Sequence, residues 1–150
     1  MSQYKKILIA LDLHDDNTQI LETGREICEA SGAEIYLLHV NEPIALAYTP
    51  DGVSWSDQIF ELERDIHRDA ARRLKEIASD MDVDEEHCII ANGRPASEIH
   101  HLVESKKIDL IVMGTHGQSG LQLLLGSTAN SVLHGVMCDV LAVRIKEKSA

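Results

Sequence analysis

Five short runs of apolar residues alternate along this chain with longer segments in which apolar residues recur at helical spacing. Residues 7–11 and 110–113 contain no polar residue, which is typical of strands buried on both faces of a parallel sheet. Parallel strands need crossover connections, and helices supply them in right-handed βαβ units. The alternation therefore predicts an α/β fold, a doubly wound parallel sheet with helices on both faces.

The predicted strands are residues 7–11, 34–40, 87–91, 110–113 and 140–145, and the predicted helices begin near Asp15, at Ser56, at Pro95 and at Ser127. The second helix, residues 56–79, carries one apolar stripe, and its many charges are interpreted as a solvated face with i,i+4 pairs. Residues 41–54 follow no period, so they form either a functional loop or a plain surface connection. Without a linker or an internal repeat, residues 1–150 are expected to form a single domain.

The sequence is strongly acidic, with a formal net charge of -11 and a pI of about 5.0. Such a surface repels nucleic acid and anionic membranes, so neither is expected as a partner. Cys28, Cys88 and Cys138 are odd in number and show no Cys-x-x-Cys spacing, which favours buried free thiols in a reducing compartment. Because no apolar run has the length of a membrane span or of a signal-peptide core, we expect a cytoplasmic protein.

The most suggestive motif follows the fourth predicted strand. Gly114, Gly117 and Gly120 interrupt the apolar sequence, and Gly126-Ser127-Thr128-Ala129 then begins a helix. Glycines let a backbone approach a ligand closely, and the amides at a helix start favour anions. The pattern therefore predicts a phosphate cradle. An alternative stays open, in which the glycines only form turns and Ser127 is only a helix N-cap.

Two strand ends carry the residues of greatest functional interest, Asp12 after the first strand and Gly114 after the fourth. In a doubly wound sheet, ligands bind outside the carboxyl ends of the strands, at the point where the winding direction reverses. If these two strands are neighbours at that point, Asp12 and the glycine segment face one crevice.

With these motifs, the chain resembles the universal stress protein family along essentially its whole length. The motifs are Ala10-Leu11-Asp12, His39-Val40, Gly93-Arg-Pro-Ala, Asp109-Leu-Ile-Val-Met-Gly-Thr-His-Gly, Leu-Leu-Leu-Gly-Ser-Thr-Ala and Cys138-Asp-Val-Leu-Ala-Val-Arg. The resemblance implies a five-stranded sheet of order 3-2-1-4-5, the three-layer sandwich of adenine nucleotide alpha hydrolase-like proteins, and a role in the stress response. Many members bind ATP through glycines like those above, whereas a second branch lacks them and binds no nucleotide.

Similarity to the nucleotide-binding branch implies a site for ATP, ADP or AMP. The resemblance implies that Asp12 and the backbone of Val40 contact the adenine. Met113 and Gly114 would line the ribose, and Gly117 with residues 126–128 would bind the phosphates. The full set of implied cofactor-binding residues is Ala10, Leu11, Asp12, Val40, Met113, Gly114, His116, Gly117, Gly126, Ser127, Thr128 and Ala129. Plainer interpretations stay open, with Asp12 as a helix cap and Val40 as ordinary core.

The phosphate segment departs from the family pattern. The spacer at residues 118–125 is one residue shorter than usual, and Gln118 stands where a basic residue is common. No Lys or Arg occurs between Lys107 and Arg144. Phosphates would then rest on backbone amides, the hydroxyls of Ser127 and Thr128, and either His116 or a divalent cation such as Mg²⁺. Adenosine recognition is therefore better supported than tight triphosphate binding.

Other functional classes fit the sequence less well. The eight histidines show no metal-ligand spacing, so no metal site is assigned. A response-regulator receiver would need a phospho-accepting Asp after the third strand and a Lys after the fifth, but the chain has Asn92 there and Arg144 within the fifth strand. No Gly-x-Ser-x-Gly elbow or positioned base is recognisable, so no catalytic residue is assigned and at most a slow ATPase is expected. The remaining rival is a nucleotide-free, dimeric interaction protein.

The fifth predicted strand suggests how the chain assembles. In the implied order it is an edge strand, and from Val140 to Ile145 it is long, mostly apolar and free of proline. Such an edge invites pairing with another chain, so we expect a homodimer with antiparallel fifth strands, as the resemblance also implies. The alternative is a monomer whose edge is covered by residues 146–150.

Overall fold

The computed structural model describes residues 4–13, 17–42, 56–115 and 127–145. Its strands are β1 (Lys6–Ala10), β2 (Glu34–Asn41), β3 (Cys88–Asn92), β4 (Leu110–Gly114) and β5 (Asp139–Val143). Its helices are α1 (Thr18–Ser31), α2 (Ser56–Met81), α3 (Pro95–Lys106) and α4 (Ser127–Leu133), and a 3-10 turn, Glu85–His87, precedes β3. The strands form one parallel sheet of order β3-β2-β1-β4-β5, which confirms the predicted fold class and strand order.

Each face of the sheet buries its own apolar cluster. Side chains alternate along β1, so Ile7 faces one cluster and Leu8 the other, and both are 0% exposed. The first cluster also contains Ile20 of α1 and Leu74 of α2, and the second contains Ile99 of α3 and Val132 of α4. The helices therefore cover both faces, two on each, and complete a three-layer sandwich.

The winding direction reverses beside β1. This strand pairs with β2 on one side, from Lys6 opposite Glu34 to Ala10 opposite Leu38, and with β4 on the other. The chain first winds outward from β1 through β2 to β3, and then crosses back to β4 and β5. The carboxyl ends of β1 and β4 consequently flank the reversal point, where open α/β sheets bind their ligands.

The close packing of α1 against β1 depends on a glycine in the middle of the helix. A Cβ atom placed on Gly24 would lie 2.5 Å from Cδ1 of Ile9, closer than real side chains approach. Gly24 is buried, and its missing side chain leaves room for Ile9. Glycine within a helix usually costs about 1 kcal/mol relative to alanine. At this position the closer approach of Ile9 offsets that cost.

The predicted charged face of α2 is confirmed. Arg72 pairs with Asp69 and Glu76, and Arg73 pairs with Asp69 at 3.3 Å. The side chains in these pairs are between 47% and 65% exposed, so each pair contributes at most a few tenths of a kcal/mol.

The prediction of one apolar stripe along α2 is only half correct. Ala70 and Leu74 are buried, but Leu62 is 52% exposed and Ile66 is 36% exposed. The reason is length. A helix of 26 residues is about 39 Å long, whereas the eight residues of β2 span about 26 Å. Because α2 follows β2 and runs back along it, a helix that is longer by about 13 Å leaves part of its first half without β2 beside it.

Several predicted boundaries need correction. β5 was predicted to reach Ile145 but ends at Val143, because its partner β4 ends at Gly114 and their pairing stops there. Arg144 therefore follows the strand. The cysteines are free, as predicted, but they are half-buried rather than buried. Among the described residues, no helix is long and apolar enough to cross a membrane.

Candidate functional site

The carboxyl edge of the sheet gathers the described part of the predicted site. Ala10 ends β1, Gly114 ends β4, and Val40 is the penultimate residue of β2. The amide of Leu11 donates to the carbonyl of Leu38 at 2.9 Å, so the pairing of β1 with β2 continues one residue past the strand. These strand ends meet at one edge, as the sequence predicted.

Three consecutive backbone carbonyls fix the turn that follows β1. Each accepts a hydrogen bond from a different element: the carbonyl of Leu11 from Nδ1 of His39 in β2 at 2.9 Å, that of Asp12 from Nδ2 of Asn17 at 2.8 Å, and that of Leu13 from Nη1 of Arg73 in α2. Because a carbonyl can only accept, Nδ1 of His39 carries the proton. We call these three donors the β1-turn clamp.

The clamp sets the position of Asp12. Leu11 and Leu13 are each 5% exposed and point into the first apolar cluster, whereas Asp12 between them is only half-buried. The hydrogen bonds to the carbonyls of residues 11–13 therefore hold the backbone of Asp12 at the carboxyl end of β1, beside the reversal point.

Gly114 is closely packed against two neighbouring side chains. A Cβ atom at this position would lie 2.8 Å from Cδ1 of Ile145 and 3.0 Å from Cδ1 of Ile20. A larger residue here would therefore displace the terminal methyl groups of Ile145 and Ile20, so packing of α1 and of the segment after β5 favours a glycine. Beside it, Met113 of β4 and Ala129 of α4 are buried in the second apolar cluster, and Val40 packs against that cluster. The side chains of these three residues therefore belong to the core.

Part of the predicted phosphate segment lies outside the described residues. His116, Gly117 and Gly126 fall there, and so does the side chain of Ser127. The backbone of Ser127 begins α4, as predicted, and the adjacent Thr128 is half-buried in the first turn.

The model of the Universal stress protein family matches residues 3–144. This chain belongs to the universal stress protein family. It is 40% identical to universal stress protein A homolog 2 of Coxiella burnetii, over 97% of this chain and 99% of the relative. Membership in this family associates the chain with the stress response.

Solved structures agree with this assignment. Hypothetical protein MJ0577, which is from Methanocaldococcus jannaschii, superposes with a TM-score of 0.79 at 27% identity, covering 98% of this chain and 100% of that one. A universal stress protein solved in complex with cAMP has the same fold, with a TM-score of 0.57 at 23% identity over 95% of this chain and 98% of that one.

Sequence patterns did not indicate one polar pair of this universal stress protein, Asn41 and Asn92. These residues end β2 and β3 and lie opposite each other in the sheet. Nδ2 of Asn41 donates to Oδ1 of Asn92 at 3.3 Å. Oδ1 of Asn41 is buried and has no hydrogen-bond partner among the described residues. The only signal in the sequence was that two neighbouring strands end in the same amide residue.

The opposite, amino-terminal edge of the sheet carries polar contacts that support structure. The carboxylate of Asp109 accepts the amides of Lys5 and Lys6 at 2.9 and 3.1 Å. The Tyr4 hydroxyl donates to Asp139 at 2.8 Å, and this bond raises the pKa of Tyr4. Burial, followed by the nearby carboxylates of Asp139 and Asp109, raises the pKa of the Cys138 thiol to about 11. A thiol so rarely ionised at neutral pH is a poor nucleophile.

Histidines and acidic residues in the described part of the chain form no metal-binding group of three or more. His39, His87 and His100 each bond a backbone carbonyl instead, as expected for structurally satisfied histidines. The ring of His87 also stacks on Tyr36, with centroids 4.2 Å apart.

Hydrogen-bonding groups of β2 lie at the same carboxyl edge as the end of β1. Oδ1 of Asn41 is a buried acceptor without a partner among the described residues, and the backbone of Val40 directly precedes it.

Proposed function

We propose that this universal stress protein binds an adenine nucleotide, ATP, ADP or AMP, and acts in the cytoplasm as a sensor or regulator of the stress response. The observation that carries the proposal is the clamped Asp12 at the reversal point between β1 and β4. A doubly wound sheet binds ligands at this point, and a turn ordered in advance reduces the entropy lost on binding.

The proposed contacts run along the carboxyl edge. Ala10, Leu11 and Asp12, with the backbone of Val40, would hold the adenine end, and Met113 and Gly114 would line the ribose. The phosphates would lie against Gly117, Gly126 and the start of α4, where the proposed contacts are the hydroxyls of Ser127 and Thr128, the backbone of Ala129 and the ring of His116. Mg²⁺ bound with the phosphates would offset repulsion from a chain of net charge -11.

Little or slow hydrolysis is proposed. Rapid phosphoryl transfer needs a group that orients the attacking water and cations that stabilise the transition state. Arg73 already donates to the carbonyl of Leu13 and pairs with Asp69, so it is occupied with structure. We expect ATP turnover below about 1 s⁻¹, the lower end of ordinary enzyme rates. Release of inorganic phosphate faster than this, at saturating ATP and Mg²⁺, would contradict the proposal.

Isothermal titration calorimetry with ATP, ADP and AMP, each with and without Mg²⁺, tests the binding proposal directly. The proposal predicts saturable binding by the wild type and a loss of at least about tenfold in Asp12→Ala, because one well-placed hydrogen bond to a charged acceptor is worth about 1.5–3 kcal/mol. Asp84→Ala is the matched control, because Asp84 is an exposed aspartate that precedes β3 at the opposite edge. Absence of heat at millimolar nucleotide would instead favour a nucleotide-free interaction protein.

A homodimer through β5 is proposed under either function. The strand is an edge of the described sheet, and none of its residues is fully buried. Val143 directs its carbonyl at β4, where it accepts from the amide of Thr115 at 3.0 Å. Because backbone groups alternate along a strand, the N–H of the neighbouring Ala142 points to the open side.

Ala142→Pro should therefore weaken the dimer without removing a hydrogen bond from the β4–β5 ladder. Multi-angle light scattering of the wild type at tens of micromolar should give twice the chain mass of 16.6 kDa, and the variant should shift towards the monomer. A wild type that elutes at the mass of one chain would refute the dimer.

A further inference from the structure

The Asn41–Asn92 pair lies at the end of the sheet edge to which the adenine base is assigned. Asn41 directly follows Val40, and its side chain is on the same face as His39, because side chains on one strand point the same way at every second residue. Asn41 is 5% exposed, whereas Asn92 and the next residue after Asn41, Glu42, are exposed. Asn41 is thus the last buried polar side chain of β2 before solvent.

The hydrogen bonds of the pair determine which atom remains available. Nδ2 of Asn41 donates to Asn92 at 3.3 Å, and the backbone carbonyl of Asn41 accepts the amide of Gly93 at 3.0 Å. Oδ1 of Asn41 is left as a buried acceptor without a partner among the described residues. Native proteins rarely leave such an acceptor unsatisfied, and an exception calls for an explanation such as a bound group.

The chemistry of the purines makes this acceptor selective. Adenine carries an amino group, a donor, at C6, whereas guanine and hypoxanthine carry a carbonyl oxygen there. An acceptor that faces C6 therefore bonds with adenine and repels a 6-oxopurine. The wrong base would leave the buried acceptor unpaired, which lowers the affinity for that base.

We propose that Asn41 is a specificity-determining residue, whose Oδ1 accepts a hydrogen bond from the 6-amino group of the bound purine while Asn92 holds the amide in that orientation. The inference rests on the proposed function, since it assigns the base end of the same site. It concerns a side chain outside the set of residues implied by the family motifs.

The test compares AMP with inosine monophosphate, which differ at C6 in the group that Asn41 would contact. Calorimetry of the wild type should give about tenfold tighter binding of AMP, the discrimination expected of one selective polar contact. In Asn41→Leu, which removes the acceptor at similar volume, AMP binding should weaken to the level of inosine monophosphate. A variant that only loosened the fold would weaken both ligands together and keep their ratio.

Asn92→Ala supplies a second variant at an exposed position that should not affect folding. It frees the Asn41 amide to rotate, so the preference for AMP should fall without disappearing. Equal binding of the two nucleotides by the wild type, or an unchanged preference in Asn41→Leu, would overturn the assignment of Asn41 and leave the proposed site intact. No binding of either nucleotide by the wild type would overturn both proposals.

Discussion

The two halves of the proposed site differ in how they are built. In the half formed by β1 and β2, the turn at residues 11–13 is fixed by three side chains from three elements. In the half formed by β4 and α4, Gly114 is closely packed against Ile20 and Ile145. The first half has ordered polar contacts and only short motifs, whereas the second has the most distinctive motif and a glycine that is also closely packed.

This contrast shows that a motif and a built site are different kinds of observation. The glycines after β4 point to a phosphate because of what glycine permits, namely close backbone approach. The β1-turn clamp points to a ligand because it holds the backbone on both sides of Asp12 in one position. If both halves bind one nucleotide, changes on the glycine side should affect phosphate binding, and changes on the clamp side should affect the base and ribose.

The largest expected effect is on the glycine side. Gly117→Val should abolish nucleotide binding and leave the thermal unfolding transition unchanged, because a branched Cβ would occupy the space in which the backbone approaches the phosphates. Gly117→Ala should give a partial loss. Calorimetry with ATP and with adenosine separates the contributions, since adenosine lacks phosphates and should bind both variants like the wild type. A folded Gly117→Val protein with wild-type ATP affinity would show that the glycines only form turns and do not bind phosphate.

The next effect concerns stability rather than binding. Gly114→Ala should lower the free energy of unfolding by about 1–3 kcal/mol, the usual cost of overpacking a core. Ile145→Val removes the Cδ1 atom that lies 2.8 Å from the new Cβ, so adding it should restore part of the loss. Urea denaturation of both single variants and the double variant measures this coupling. If the two substitutions lower the free energy of unfolding additively, Cδ1 of Ile145 does not clash with the new Cβ, and Gly114 serves another purpose.

The fold was predictable because its signals are local in the sequence. Runs such as residues 7–11 need no partner to indicate a buried strand, and the strand order came from the resemblance to the family. The extension of α2 was missed because the periodicity that predicted burial of Leu62 does not report how far the sheet reaches. The ends of β5 were missed for a similar reason, since the pairing with β4 decides them.

Two of the three clamp contacts could not be predicted because the residues they join are far apart in the chain. His39 lies 28 residues from Leu11, and Arg73 lies 60 residues from Leu13. Arg73 was interpreted as one of many charges on a solvated helix face, which is correct for its pair with Asp69 but omits its contact with the turn. Only the packing of α2 against the first face shows that one of two adjacent arginines reaches the β1 turn.

The smallest expected effect tests that difference between adjacent arginines. Arg73→Met keeps much of the side-chain length but removes the donor to Leu13, so nucleotide affinity should fall about threefold to tenfold, in keeping with about 1 kcal/mol for one net hydrogen bond. Arg72→Met is the control, because Arg72 also pairs with Asp69 and is 64% exposed, but its bonds stay within α2. Equal affinities in the two variants would show that the clamp does not support binding. A loss in Arg73→Met alone, with unchanged melting temperature, would connect the order of the β1 turn directly to the ligand.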